Sequence, residues 1–214
     1  MSAALKLLVL ITCLPSPCFG ALVSLDWQER GDGLVTLDTA TDLQWLDFSV
    51  MLDHSYDEAE AMILGDPRFI GFSHASTARV IELFTHAGIV EIPSFKGSLA
   101  NVAGGALLSS LMGSTLSDAP GRSDGANAFV AEVLATGNHE VWQFSGTGGV
   151  AGMPGLARPI QSSFTVFAQT ADDQSHPWYS HYLVRPIPEP SPVSWVPIAA
   201  AIALCYRNRR CRPA

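Results

Sequence analysis

Cysteine is missing from most of this 214-residue chain. The four cysteines, Cys13, Cys18, Cys205 and Cys211, lie near the two ends, and residues 19–204 contain none. A long cysteine-free region has no disulfide, no thiolate zinc site and no cysteine nucleophile. The stability of any domain in this region must therefore come from packing and hydrogen bonds.

Basic side chains are also scarce, with 12 lysines and arginines against 20 aspartates and glutamates. Five of the basic residues and one acidic residue belong to the terminal segments described below. Residues 21–185 therefore keep seven basic and 19 acidic side chains, which is a net charge of −12. A surface of this sign repels nucleic acid, so we expect no nucleic acid partner.

Familiar catalytic motifs are absent as well. The chain has no Gly-x-Ser-x-Gly nucleophile elbow, and the glycine-rich segment 146–149 lacks the lysine of a phosphate-binding loop. The six histidines lack the i, i+4 helical spacing of zinc hydrolases, so we interpret them as core or solvated side chains. The sequence therefore predicts a non-catalytic protein with no cofactor.

Residues 1–20 have the pattern of a secretory signal peptide. Lys6 supplies a positive charge, residues 7–14 form a short apolar helix, and Cys18-Phe19-Gly20 precedes an expected cleavage site before Ala21. We therefore expect export through the Sec machinery.

The C-terminal end contains three segments in a fixed order. Residues 186–192 are rich in proline and contain Pro188, Glu189 and Pro190. Residues 193–206 form an apolar run, which is short for a membrane helix of about 20 residues and is interrupted by Pro197. Residues 207–214 end the chain with basic side chains that favour the cytoplasmic side of a membrane, namely Arg207, Arg209, Arg210 and Arg212.

This order resembles the PEP-CTERM sorting signal of Gram-negative bacteria. The resemblance implies that an exosortase recognises the tail. It also implies a precursor anchored in the inner membrane, and then a location at the cell surface or outside the cell. An ordinary C-terminal membrane anchor behind a proline-rich stalk is the alternative interpretation.

The region between these signals mixes helical and strand patterns. Alternation predicts a β-hairpin over residues 34–47, and a capping box formed by Ser55 and Glu58 begins a helix that runs to about Leu64. Ser76 caps a second helix that ends at Gly88. A third helical pattern covers residues 99–111, and strands are expected at residues 128–134, 140–145, 164–169 and 180–185.

About 165 residues suffice for one domain with its own core. We predict a single compact α+β domain over residues 21–185, with two or three helices and an antiparallel sheet.

The same region resembles the Lcl-type C-terminal domain found in some PEP-CTERM proteins. The motif Asp38-Thr-Ala-Thr-Asp42-Leu43-Gln-Trp45-Leu46-Asp47 matches the opening block of that family, with Asp42 at a position where the family has glycine. The segment Gly71-Phe72-Ser73-His74 stands where the family more often has Gly-Trp-Arg-Tyr, and Tyr182-Leu183-Val184-Arg185 resembles its closing strand. The resemblance implies a fold related to C-type-lectin-like domains.

Two weak candidate ligand sites follow from the residues. The carboxylates of Asp38, Asp42 and Asp47 suit calcium, but turns stabilised by aspartate side chains explain the same pattern. Trp178 and Tyr179 are amphipathic aromatics in a loop-like stretch, where they either stack on a sugar or pack in the core.

The sequence as a whole predicts an exported, non-catalytic component of the cell surface or extracellular matrix that binds glycan, with exopolysaccharide as a partner. Two alternatives stay open. One is an enzyme that acts on envelope polysaccharide, and the other is an adhesion module stabilised by calcium.

Overall fold

The computed structural model describes residues 21–116, 124–147, 154–159 and 171–187. The described residues form nine strands and three α-helices. The strands are β1 (Leu22–Leu25), β2 (Val35–Asp38), β3 (Leu43–Leu46), β4 (Ser73–His74), β5 (Gly125–Val133), β6 (His139–Ser145), β7 (Ala157–Pro159), β8 (Tyr179–His181) and β9 (Leu183–Pro186). The helices are α1 (Tyr56–Gly65), α2 (Thr77–His86) and α3 (Val102–Met112). The α+β prediction is therefore confirmed.

The strands form two sheets, so the predicted antiparallel sheet is confirmed for the first sheet and a second, mixed sheet accompanies it. The first sheet has the order β1-β2-β3-β9-β4 and is antiparallel throughout. The second has the order β7-β6-β5-β8, and β5 and β8 run parallel. The predicted hairpin is confirmed as β2 and β3, in which Val35 pairs with Leu46.

The predicted strand over residues 180–185 is instead two strands that belong to different sheets. Tyr182 separates β8 from β9 and contacts both sheets through its backbone. Its N–H donates to Phe129 O of β5 at 3.0 Å, and its carbonyl accepts from Ala75 N, next to β4, at 2.7 Å. Continuous strand propensity does not show where a chain passes from one sheet to another.

The helices begin and end close to the predicted residues because their caps are local. Ser55 accepts from Glu58 N at 3.1 Å, and the Glu58 carboxylate accepts from Ser55 N at 2.8 Å. These two bonds complete the predicted capping box. Ser76 caps α2 as expected. The third helical pattern begins as a 3-10 turn at Leu99–Asn101 before α3.

Both faces of the first sheet are covered, and adjacent residues of β3 show this directly. Trp45 packs in the core between this sheet and α2, α3, β5 and β6, together with Phe84, Phe144 and Tyr182. Leu46 points the other way and packs with Ala59 of α1. The alternation of side chains along a strand therefore places the two large residues in separate cores.

Two glycines that weaken the helical propensity of α3 are required by its packing. A Cβ on Gly105 would lie 2.1 Å from Ser145 O, and one on Gly104 would lie 2.8 Å from Ala87 O. The helix therefore approaches β6 and the end of α2 more closely than any residue with a side chain would permit.

Several predicted segments lie outside the described residues. These are the signal segment 1–20, the strand at 164–169, the apolar run 193–206 and the basic tail 207–214. Among the described residues, no helix is both long and apolar enough to cross a membrane.

Candidate functional site

The residues of the predicted sorting signal lie outside the described part of the chain. They are Pro188, Glu189, Pro190, Arg207, Arg209, Arg210 and Arg212.

The three aspartates proposed for calcium have separate structural roles. Asp38 is buried, and its carboxylate accepts from Ala40 N at 3.0 Å and contacts His86 Nδ1 at 2.7 Å. Asp42 lies in the hairpin turn with φ of 56°, a left-handed conformation that explains why glycine suits this position. Asp47 caps a 3-10 turn by accepting from Ser49 N. No group of three or more metal-ligating side chains is found among the described residues.

The aromatic pair proposed for sugar stacking is mostly inside the fold. Tyr179 is 1% exposed and packs with Phe129 and Val141, which is the core packing that the sequence left open for it. Trp178 is partly buried against the same cluster. Of the two residues, Trp178 alone retains surface for contact with a ligand.

The most unusual group of side chains surrounds Tyr56, the first residue of α1. Its ring is stacked between two imidazoles, His139 of β6 at 3.4 Å and His74 of β4 at 4.1 Å between ring centroids. Burial, followed by the charges of Glu60 and Asp172, raises the pKa of the Tyr56 hydroxyl well above its usual value. The phenol therefore remains protonated.

A continuous set of hydrogen-bonding contacts, called here the histidine chain, starts beside this ring. Glu60 Oε1 of α1 lies 2.7 Å from His74 Nδ1, and His74 Nε2 lies 2.9 Å from His181 Nδ1 of β8. His181 Nε2 lies 3.2 Å from the backbone carbonyl of His54. The histidine chain thus joins α1, one edge strand of each sheet and the loop before α1.

The two imidazoles of the histidine chain are held in the uncharged state. Burial and the neighbouring His139 lower the pKa of His74 to about 3. Burial and then His74 lower the pKa of His181 to about 3 as well. Transferring an imidazolium from water to such an environment is costly, so both rings are neutral near pH 7.

A second carboxylate holds the other imidazole that stacks on Tyr56. Asp172 Oδ2 contacts His139 Nδ1, and Asp172 Oδ1 accepts from His139 N, each at 2.8 Å. The carbonyl of Asp172 accepts from Asp57 N in the first turn of α1. Asp172 therefore connects the start of β6 to the start of α1.

Two further carboxylates meet at the N-terminus of α2. Glu132 accepts from Thr77 N at 2.7 Å, and its negative charge interacts favourably with the positive end of the α2 dipole. The Thr77 hydroxyl contacts both Glu132 and Glu140 at 2.9 Å, and Glu140 also accepts from Trp142 Nε1. These bonds tie α2 to β5 and β6 and account for the positions of both carboxylates.

Sequence reasoning missed the histidine chain because His74 and His181 are 107 positions apart. One signal was present, because Glu60 lies on the same helical face as Tyr56, four residues apart.

In chemical terms the histidine chain connects a partly exposed carboxylate, through two buried imidazoles, to a backbone carbonyl that accepts a hydrogen bond. Comparisons with known protein families, with curated proteins and with solved structures find no match to this chain.

Proposed function

We propose that this protein is exported through the Sec machinery and sorted by an exosortase that recognises its C-terminal tail, to act as a non-catalytic component of the cell surface or extracellular matrix. The order of Pro188-Glu189-Pro190, the apolar run and the arginines supports this proposal. The resemblance of the region before the tail to the Lcl-type C-terminal domain also makes a fold related to C-type-lectin-like domains part of the proposal.

One structural observation supports the proposal, because the described residues next to both proposed signals are hydrogen-bonded to the hairpin turn and its flanks. Among the described residues, the backbone bond nearest to the tail runs from Ile187 N to Asp42 O at 3.0 Å, directly before Pro188. At the other end, Ala21 N donates to Thr39 Oγ1 at 2.8 Å and Ala21 O accepts from Thr39 N. Removal of residues 1–20 and of the tail would therefore break none of these bonds.

The experiment is expression of the full chain in a host that encodes an exosortase and in the same host without it. We expect the tail to be removed only in the first host, with the product at the cell surface. Replacing Glu189 by Gln, or the four tail arginines by Gln, should leave a membrane-associated precursor of higher mass.

Ser191→Ala is the matched control, because it changes the same segment without touching the motif or the arginines. Processing of the Glu189 and arginine variants at the wild-type rate, or processing without the exosortase, would contradict the sorting proposal.

Glycan binding is the second part of the proposal, and it rests on Trp178. The processed protein should sediment with exopolysaccharide from its host, and Trp178→Ala should weaken this binding under conditions in which the variant is still folded. A well-folded protein that does not bind the polymer would exclude glycan association. Shortening of the polymer by the purified protein would instead support a polysaccharide-active enzyme.

A further inference from the structure

The histidine chain has one donor too few for its three contacts when Glu60 is ionised and both imidazoles are neutral. Each neutral imidazole carries one N–H, so the two rings supply two protons. The contacts of His74 with Glu60, of His74 with His181, and of His181 with the His54 carbonyl each need one. Neither an ionised carboxylate nor a carbonyl can donate.

Three arrangements of the two protons each satisfy two of the three contacts, and the distances favour one of them. If both rings carry hydrogen on Nδ1, His74 donates to Glu60 and His181 donates to His74, and only the His54 contact lacks a proton. If both carry hydrogen on Nε2, the Glu60 contact lacks the proton instead. If His74 carries it on Nδ1 and His181 on Nε2, the contact between the two rings lacks it, and two unprotonated nitrogens face each other at 2.9 Å. The first arrangement places the missing proton at the longest contact, 3.2 Å, and keeps the charge-assisted bond of 2.7 Å.

A third proton changes this balance without charging either ring. When it binds to Glu60, the carboxyl donates to His74 Nδ1, His74 Nε2 donates to His181 Nδ1, and His181 Nε2 donates to the His54 carbonyl. All three contacts are then satisfied, and both imidazoles have moved from the Nδ1–H to the Nε2–H tautomer. Transfer along the rings avoids the imidazolium that burial disfavours.

We propose that the histidine chain is a proton switch, in which a proton taken up at Glu60 reverses both tautomers and strengthens the hold of His181 on the carbonyl of His54. The Glu60 side chain is 41% exposed, whereas that of His74 is 2% exposed, so the proton enters from the α1 side. This property is independent of the sorting proposal.

The His54 end of the histidine chain lies directly before α1, where a change in hydrogen bonding affects how the start of this helix is held. His54 precedes Ser55, the N-cap of α1. The same loop is held to β8 by one other backbone bond, from Asp53 N to Tyr179 O at 3.1 Å. A donor at His181 Nε2 adds a second bond between the loop and β8, so the state of Glu60 controls how firmly the start of α1 is fixed.

Other charged and titratable groups surround the histidine chain and affect its response. Tyr56 of α1 stacks on His74, and His139 of β6 and the carboxylate of Asp172 act on His74 electrostatically. The His54 side chain and His139 act on His181. The carboxylates of Asp57 and Glu132 act on Tyr56. Any variant used as a test must leave these groups in place.

The test is a ¹⁵N-labelled full-length chain, with histidine ring nitrogen-to-hydrogen correlation spectra that distinguish protonated from unprotonated ring nitrogens. At neutral pH the wild type should carry hydrogen on Nδ1 of both His74 and His181. Acidification should convert both rings to Nε2–H before either becomes charged.

Two variants should show the converted state already at neutral pH. Glu60→Gln supplies an amide N–H to His74 Nδ1, which satisfies all three contacts without an added proton. Glu60→Ala removes the carboxylate that draws hydrogen to Nδ1, so the His54 contact decides the tautomers. We expect Nε2–H on both rings in both variants.

Glu82→Gln is the matched control, because it makes the same change on α2 at a side chain that is 40% exposed. Its spectra should match the wild type. The proposal is overturned if both Glu60 variants keep Nδ1–H, if the wild type shows Nε2–H at neutral pH, or if acid forms an imidazolium without a change of tautomer.

Discussion

The hairpin turn (residues 38–42) and the histidine chain both combine carboxylates with backbone groups, but they are built from different ranges of sequence. In the turn, Asp38 accepts from Ala40 N two residues away, and Asp42 adopts a left-handed conformation. In the histidine chain, the central bond joins residues 107 positions apart. The turn is thus specified by adjacent residues, whereas the histidine chain exists only once both sheets have formed.

This difference has energetic consequences. The Asp42 side chain in the turn is exposed, so an altered side chain at this position can be solvated. The rings of the histidine chain cannot, since His181 is 1% exposed. A change of charge or shape in the histidine chain therefore lowers the free energy of unfolding by the full cost of the unsatisfied contacts, because water cannot replace them.

Acid gives the largest expected effect. The pKa values of His74 and His181 are lowered from 6.5 to about 3 in the folded state. Between these values the unfolded chain binds more protons, so the stability that the neutral rings contribute is complete above pH 6.5 and is lost as pH falls towards 3. We expect the free energy of unfolding, measured by urea denaturation, to fall with decreasing pH. Each of the two protons contributes a slope of up to about 1.4 kcal/mol per pH unit.

The double variant His74→Gln/His181→Gln is the comparison for this measurement. It should show a shallower loss of the free energy of unfolding over the same pH range. An equal slope would mean that the acid sensitivity arises from other groups.

Truncating one ring of the histidine chain gives the next largest effect. His181→Ala removes a donor and acceptor that contact His74 and the His54 carbonyl, and it removes the ring that stacks on Phe129 at 5.2 Å. We expect the free energy of unfolding at neutral pH to fall by about 2–4 kcal/mol, measured by urea denaturation.

His54→Ala is the matched control for that change. The histidine chain uses only the backbone carbonyl of His54, so removal of this side chain should cost no more than about 1 kcal/mol, the value of its own bond to Leu52 O. Equal losses for the two alanine variants would contradict the assigned geometry.

The smallest effect is expected in the hairpin turn. Asp42 has φ of 56°, which glycine adopts without strain and a β-branched residue does not. Asp42→Gly should change the free energy of unfolding by less than about 0.5 kcal/mol, and Asp42→Val should lower it by roughly 1–2 kcal/mol. Equal values for the two variants, by thermal or urea unfolding, would show that this conformation does not limit stability.

Much of the local structure could be predicted because its causes are local. The Ser55–Glu58 capping box, the Ser76 cap and the β2–β3 hairpin all depend on residues within a few positions of one another. The split of residues 179–186 between two sheets could not be predicted, because the same apolar, β-forming pattern suits one long strand or two. The tight packing of Gly105 on Ser145 was likewise invisible, since it depends on where α3 lies.

The sequence by itself determined the acidic, cysteine-free composition of residues 21–185, the positions of the three helices and the order of the tail segments, because each depends on residue type or on neighbouring residues. Only the tertiary structure decided that Tyr179 is buried and that the three aspartates act separately. It also decided that Glu60, His74 and His181 share protons, because such contacts require distant residues to be brought together and shielded from water by the packing of two sheets and a helix.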